Sequence, residues 1–422
     1  MRQWLSVLLI FALALPPVVL ADEGSRKPRE TRKTEKLSPA VYEQIAEAQV
    51  ALDEQRLADA ESILQTLLAD REALTHYEQA QALNFLAAVH YEQGRTDATI
   101  EDYKSLLRLP DGVPEQLRDN SLFRLAQLYF VQADYETSIR ALDAWMQRVE
   151  AVRPEAWLLK AQAYYQLDRH ADAEPAIIEA LREARRRKQP LQENWLALLR
   201  AVYYELGDYP KAARVLGELI ERWPSASYYK QLAGMLGLME LQSAQLAVMH
   251  GAYVNNMLDS ESEVLNMARL YMAEDAPHPA IELLDAAMQA GTVEATADNL
   301  QLLAQAMALG KEYERQVPVL ARAAELSGDA RQYVYLGQAQ IALNQWAAAA
   351  EALEQALSIG GLDRPGSIYM QLGTAYFNLK RHGPARQAFK QAAAYDDYRQ
   401  QAQQWVAFVN SEVERERALR GG

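Results

Sequence analysis

The chain has 422 residues, and half of them are hydrophobic, which is enough apolar material for a large buried core. It contains no cysteine, so disulfides, thiolate metal sites and a cysteine nucleophile are excluded. Its formal net charge of −14 opposes binding to nucleic acid and to anionic lipid, and neither is an expected partner.

The first 21 residues have the features of a signal peptide. Arg2 gives a positive start, an apolar run extends from Leu5 to Leu15, and Ala21 places a small residue at the cleavage position. Because that run is shorter than the ~20 residues of a bilayer span, we expect residues 1–21 to be removed. The expected product is an exported, periplasmic protein with no transmembrane segment in the mature chain. An uncleaved N-terminal anchor is the alternative.

Residues 22–38 follow as a segment without hydrophobic periodicity. Lys, Arg, Glu and Thr dominate it, and such a composition buries too little apolar surface to offset the entropy of ordering. We therefore predict a flexible charged linker between the signal peptide and the first helix.

A spaced pattern of apolar and small residues recurs through the rest of the chain. It is clearest from Gly366, which we number as repeat position 1. The residues at positions 4, 7, 8, 11, 20, 24 and 27 are then Tyr369, Leu372, Gly373, Tyr376, Ala385, Phe389 and Ala392. The first four form a stripe on one helix, and the last three form a stripe on a second helix. Positions 8 and 20 need small residues because the two helices cross there.

The same register continues towards the N-terminus in steps of 33 to 39 residues. Position 8 is occupied in turn by Gly373, Gly337, Ala304, Ala268, Ala233, Arg200, Ala161, Ala126, Ala87 and Ala48. Position 20 is small in most repeats and departs from the pattern at Gln316, Gln245, Ser138 and Thr99. The register predicts helix pairs over residues 39–395, followed by a C-terminal capping helix and tail over residues 396–422.

This pattern resembles the tetratricopeptide repeat, a unit of ~34 residues with the same residue classes at the same places. The resemblance implies an all-α fold, a right-handed superhelical solenoid of about ten helix pairs in which each repeat packs on its neighbours.

Sequence motifs for catalysis are absent. The chain has no phosphate-binding glycine loop, no G-x-S-x-G and no H-E-x-x-H, and its six histidines are scattered. We therefore expect no enzymatic activity, no cofactor and no metal, and we interpret the chain as a scaffold for binding other proteins.

Aromatic residues recur at repeat position 12 in the N-terminal half of the chain. In stacked helix pairs the first helices line the inner wall, and positions 2, 5, 9 and 12 face it. The predicted partner-binding groove consists of Asn84, Tyr91, Phe123, Gln127, Phe130, Leu158, Gln162, Tyr165 and Tyr204. Exposed rings beside amides suit an extended peptide or a helix. The alternative is that these rings pack against the adjacent repeat as core.

Three stretches in the second half of the chain go beyond the general repeat: residues 227–258, 261–291 and 360–392. The third begins Gly-Gly-Leu-Asp-Arg-Pro-Gly at residues 360–366, which the general repeat does not require. These stretches resemble exported tetratricopeptide proteins that accompany bacterial TonB–ExbB–ExbD systems. The resemblance implies an accessory role in energy transduction to outer-membrane uptake receptors, with TonB, ExbB or ExbD components as partners. An adaptor in another cell-envelope assembly, such as polysaccharide export or a secretion machine, is the alternative.

Overall fold

The structure, a computed structural model, describes residues 36–258 and 260–420, with the side chains of Arg417 and Arg420 left undescribed. The predicted signal peptide, residues 22–35 of the predicted linker and residues 421–422 lie outside this part of the chain. Over the described ranges the fold is all-helical, with 21 α-helices. The predicted all-α class, with about ten helix pairs and a C-terminal helix, is confirmed. No helix in the described ranges has both the length and the apolar character that a membrane span requires.

Contacts between residues divide the chain into two compact units, residues 1–151 and residues 152–422. The described part of unit 1 contains three helix pairs. They are α1 (Pro39–Asp53), α2 (Leu57–Ala69), α3 (His76–Glu92), α4 (Thr96–Arg108), α5 (Glu115–Val131) and α6 (Tyr135–Met146). Leu64, Leu106 and Leu142 on the second helices are completely buried, so the second helix of each pair in unit 1 contributes a leucine to the core.

The described part of unit 2 contains seven further pairs and a final helix. They are α7 (Pro154–Gln166), α8 (His170–Arg186), α9 (Glu193–Glu205), α10 (Tyr209–Arg222), α11 (Ala226–Leu238), α12 (Gln242–Val254), α13 (Glu261–Ala273), α14 (Pro277–Gln289), α15 (Ala297–Leu309), α16 (Tyr313–Ser327), α17 (Ala330–Ala342), α18 (Trp346–Ile359), α19 (Pro365–Asn378), α20 (His382–Ala392) and α21 (Arg399–Arg420).

The turn between the two helices of a pair has the same geometry in all ten described pairs. The residue at position 15 has a left-handed backbone, with φ between 56° and 71°, at Gln55, Gly94, Ala133, Asp168, Gly207, Glu240, Asp275, Lys311, Asn344 and Lys380. The N–H of position 16 then donates to the carbonyl of position 11 at 2.8–2.9 Å, as from Arg381 to Tyr376 and from Arg56 to Ala51. This bond is the Schellman arrangement that ends a helix and satisfies one of its last carbonyls. The repeat length therefore depends on a backbone conformation as well as on the apolar stripe.

The close approach predicted at position 8 is confirmed in the last pairs. A Cβ atom added to Gly373 would lie 2.6 Å from Cε1 of Phe389, and one added to Gly337 would lie 2.8 Å from Leu353. Phe389 is completely buried and stacks on Trp405 of α21, with ring centroids 5.2 Å apart. The final helix thus covers the apolar side of the α19–α20 pair, as a cap must.

A buried carboxylate stabilises the start of α3 in unit 1. Glu78 is only 4% exposed, and Oε1 accepts from the Ser38 N–H at 2.8 Å while Oε2 accepts from the Thr75 N–H at 2.9 Å. The Thr75 hydroxyl accepts in return from the Glu78 N–H, which completes a capping box. Burial alone would raise the pKa of Glu78, but the hydrogen bonds from Ser38 and Thr75 outweigh it and lower the pKa to about 2.

Candidate binding surface

In unit 1 the position-12 aromatics lie near the C-terminal ends of α3 and α5. Tyr91 is 36% exposed, and Phe130 is half-buried. The Phe130 ring meets the ring of Tyr135, the first residue of α6, edge-on with centroids 5.3 Å apart. One side of Phe130 is therefore occupied by its own repeat.

The other predicted groove residues of unit 1 differ in what they contact. Asn84 is half-buried on α3, and Gln127 is half-buried and accepts a long hydrogen bond from Arg124 at 3.5 Å. Phe123 packs on Trp145 of α6, with centroids 5.0 Å apart. Phe123 thus contributes to holding α5 and α6 together, in addition to any contact with a partner.

In unit 2 the predicted groove residues lie on α7 and α9. Tyr165 is half-buried with its ring centroid 5.1 Å from that of His170, and Tyr204 is half-buried with its centroid 6.0 Å from that of Tyr209. Gln162 is half-buried beside them along α7. Leu158 is only 6% exposed and belongs to the core of the unit, so its main role is packing.

The position-12 ring contacts the position-17 ring of its own repeat in four pairs. The contacts are Phe130–Tyr135, Tyr165–His170, Tyr204–Tyr209 and Phe377–His382, all across the turn that joins the two helices. The four rings are half-buried. Tyr165 and Tyr204 also pack against the core of unit 2, and Phe377 contacts Trp405 and Phe408 of α21, so these rings contribute to packing between helices. Each ring keeps part of its surface accessible.

Arg200 on α9 is a polar residue on the packing stripe of its first helix, and the groove prediction did not include it. It is half-buried at position 8, and its Nε has no hydrogen-bond partner within the described residues. Burial lowers the pKa of the guanidinium, and the fields of Tyr165, Tyr228 and Glu205 act in the opposite direction. A buried cationic N–H without an acceptor is unfavourable, so Arg200 disfavours the packing of its own repeat. The sequence does mark this site, because Arg200 is a large residue at repeat position 8, where the other repeats have Gly or Ala.

Comparisons with known proteins identify the repeat. Sequence profiles described as tetratricopeptide repeat match residues 45–114, 123–190, 198–226 and 366–397. No curated protein matches the chain.

Among solved structures, the chain is similar to a tetratricopeptide repeat protein from Parabacteroides merdae, at 16% identity and a TM-score of 0.38 over 64% of this chain and 100% of that one. It is also similar to the TPR2AB domain of yeast Sti1 in its pHSP90 complex, at 16% identity and a TM-score of 0.36 over 62% of this chain and 98% of that one.

Proposed function

Because this chain is a tetratricopeptide-repeat protein, we propose that it is a periplasmic scaffold that binds partner proteins through the first-helix face of its repeats. The observation that carries the proposal is that position 12 presents a partly exposed aromatic ring in two repeats of each unit, Tyr91 and Phe130 in unit 1 and Tyr165 and Tyr204 in unit 2. Aromatic and arginine side chains are the residue types that most often anchor protein interfaces.

We propose further that the partner belongs to a TonB-type energy-transduction system. The support is the resemblance of residues 227–258, 261–291 and 360–392 to exported proteins that accompany such systems, together with the signal-peptide features of residues 1–21. The direct test is binding of the purified mature chain to purified soluble domains of TonB, ExbB and ExbD by isothermal titration calorimetry. Failure of all three to bind would favour the adaptor of another cell-envelope assembly.

The aromatic face should be tested with Tyr165→Ala and Tyr204→Ala. Since each ring is half-buried, we expect each substitution to lower the free energy of unfolding by about 1–2 kcal/mol, between the values for surface and core residues. The double variant should weaken partner binding by about tenfold, because two anchoring rings are lost. Tyr253→Ala, at a half-buried tyrosine on the second helix α12, is the matched control and should leave binding unchanged. If Tyr253→Ala weakens partner binding as much as the double variant does, the partner does not bind specifically through the first-helix face.

Export should be tested by N-terminal sequencing of the protein from a periplasmic extract. If cleavage follows Ala21, the mature chain begins at Asp22. Recovery of intact Met1 in the membrane fraction would instead support the uncleaved anchor.

A further inference from the structure

The α11–α12 repeat buries fewer residues than the repeats around it. Among the helices α1–α20, all of whose residues the structure describes, α11 buries only Ala233 and Met235, and α12 buries only Met249 and Ala252. Every other helix in that series buries at least three residues. Because helices in proteins are stabilised mainly by packing, this pair is held in place by less of it than any other pair described.

Position 20 of this repeat shows where the packing within the pair is loose. The position-20 side chain is buried in the other nine described pairs, as are Ala212 and Ala280 in the repeats on either side, whereas Gln245 is half-buried. A Cβ atom added to Gly237 of α11 would lie 3.1 Å from the Gln245 amide, so that side chain lies directly against α11. The contact between α11 and α12 thus contains a polar group that is open to solvent.

Two glycines inside these helices are not required by packing. A Cβ atom at Gly234 would meet nothing within 4 Å, and one at Gly251 would meet only Tyr229, at an ordinary contact distance of 3.8 Å. Gly337 and Gly373 are different, because a Cβ atom there would overlap a buried side chain. Glycine inside a helix is unfavourable relative to alanine, since it loses more backbone entropy on folding. Gly234 and Gly251 therefore weaken the repeat without improving its packing.

A cavity of about 290 Å³ lies between α11, α12 and α13, and Ala233, Met249, Ala252 and Asn266 are among the residues that line it. Within unit 2, α12 also packs less extensively on α13 than any other second helix packs on the next first helix. A cavity of about 380 Å³ lies between α15, α16 and α17, but those helices bury seven, four and six residues. At α13 the cavity instead adjoins the two helices with the least burial, so apolar packing holds this junction weakly.

Polar contacts near the surface connect the α11–α12 repeat to α13. The Lys230 ammonium lies 2.5 Å from Oε1 of Glu263, and Nδ1 of His250 lies 2.6 Å from the Tyr271 hydroxyl. The side chain of Lys230 is 44% exposed, and His250 is exposed. Such contacts stabilise a structure little, because water competes for both partners. The junction can therefore break and re-form at a small cost in free energy.

We propose that the α11–α12 repeat is a hinge in the array, at which the junction with α13 opens and closes while the helix pairs on either side keep their packing. The flanking pairs have fully buried side chains on their second helices, Leu216 and Leu219 on α10 and Ile281 and Leu284 on α14, so each should move as a rigid block. This inference does not depend on the identity of any partner. It adds to the proposed binding function a variable distance between repeats.

The test measures distances across the hinge with pairs of spin labels, which is direct because the chain contains no cysteine. Arg214, Glu282 and Glu351 are exposed at position 22 of α10, α14 and α18. Labels on Arg214→Cys/Glu282→Cys span the α11–α12 repeat. Labels on Glu282→Cys/Glu351→Cys span the α15–α16 repeat and are the matched control. Double electron–electron resonance on the labelled mature chain gives the distribution of each distance.

We expect the distribution across α11–α12 to be roughly twice as wide as the one across α15–α16, because open and closed states are both populated. Hydrogen exchange of the unlabelled wild type is the independent measurement. The amides of α11 and α12 should exchange roughly tenfold faster than those of α9, α10, α13 and α14, since local opening exposes them. Equal widths for the two label pairs, or equal exchange in these three repeats, would overturn the hinge.

Lys230→Gln should increase the ratio of open to closed molecules by roughly two- to fivefold, the effect of one partly exposed ion pair. Lys211→Gln is the matched control, because Lys211 is 43% exposed and forms an ion pair with Glu174 at 3.1 Å between α10 and α8. It should leave the distribution across α11–α12 unchanged. No effect of Lys230→Gln, or the same effect of Lys211→Gln, would overturn a hinge that opens at α13.

Discussion

Gly373→Leu should destabilise the C-terminal repeats by about 3 kcal/mol, at the upper end of the usual penalty for overpacking. The Cβ atom alone would lie 2.6–2.8 Å from three ring atoms of Phe389. The Phe389 ring cannot shift away from the added side chain, since it is completely buried and stacks on Trp405. Because repeats couple mainly to their nearest neighbours, hydrogen exchange should rise in α19, α20 and α21 and stay unchanged in unit 1.

Gly217→Leu is the matched control for this substitution. Gly217 is exposed within α10, and a Cβ atom there would meet nothing within 4 Å. Leucine has the higher helix propensity, so the control should be neutral or stabilising by up to ~1 kcal/mol. A uniform rise in exchange over all repeats of the Gly373→Leu protein would contradict nearest-neighbour coupling.

Glu78→Gln should reduce the stability of unit 1 at neutral pH by on the order of 3 kcal/mol, the value linked to a carboxylate pKa lowered from 4.5 to about 2. A lowered pKa means that the ionised carboxylate stabilises the folded state. Its contribution is complete above pH ~4.5 and is lost as the pH falls towards 2, where Glu78 takes up its proton. The free energies of unfolding of wild type and variant, measured in urea, should therefore differ most at pH 7 and converge as the pH approaches 2.

Glu43→Gln provides the comparison, because Glu43 is an exposed glutamate on α1 of the same unit. We expect its effect to stay within ~0.5 kcal/mol at every pH. If the difference in unfolding free energy between wild type and Glu78→Gln does not decrease as the pH is lowered, the hydrogen bonds of the ionised carboxylate are not the cause of that difference.

The period of apolar and small residues was sufficient to predict the helix pairs, because position 8 and its partner at position 20 are set by contacts inside one repeat. Gly373 at position 8 against Phe389 at position 24 is a further contact of this kind. The environment of Arg200 could not be predicted in the same way. That environment depends on Tyr165 of α7 and Tyr228 of α11. The pattern within one repeat does not determine how side chains from three different helices pack.

The position-12 aromatics show a second feature that the sequence alone could not predict. Sequence spacing places Tyr165 and Tyr204 on the first-helix face, but it does not say how much of each ring the turn covers. That depends on the rotamers of His170 and Tyr209 at the start of the next helix. At position 20 the sequence did record the departures, and Ser138 and Gln316 there both donate a hydrogen bond to the position-8 carbonyl of their own repeat.

The left-handed residue at position 15 of every described repeat has a consequence for protein engineering. Only Gly94 and Gly207 are glycines there, and the other eight, such as Ala133 and Lys311, adopt a conformation that is unfavourable for a residue with a Cβ atom. Glycine should relieve roughly 0.5–1 kcal/mol at the five turns whose residue is neither Asn nor Asp, which are Gln55, Ala133, Glu240, Lys311 and Lys380. All eight of these position-15 residues are exposed, so the gains should add. Glycine substitutions at these turns should therefore raise the thermal stability of the protein stepwise, without altering any residue of the first-helix face.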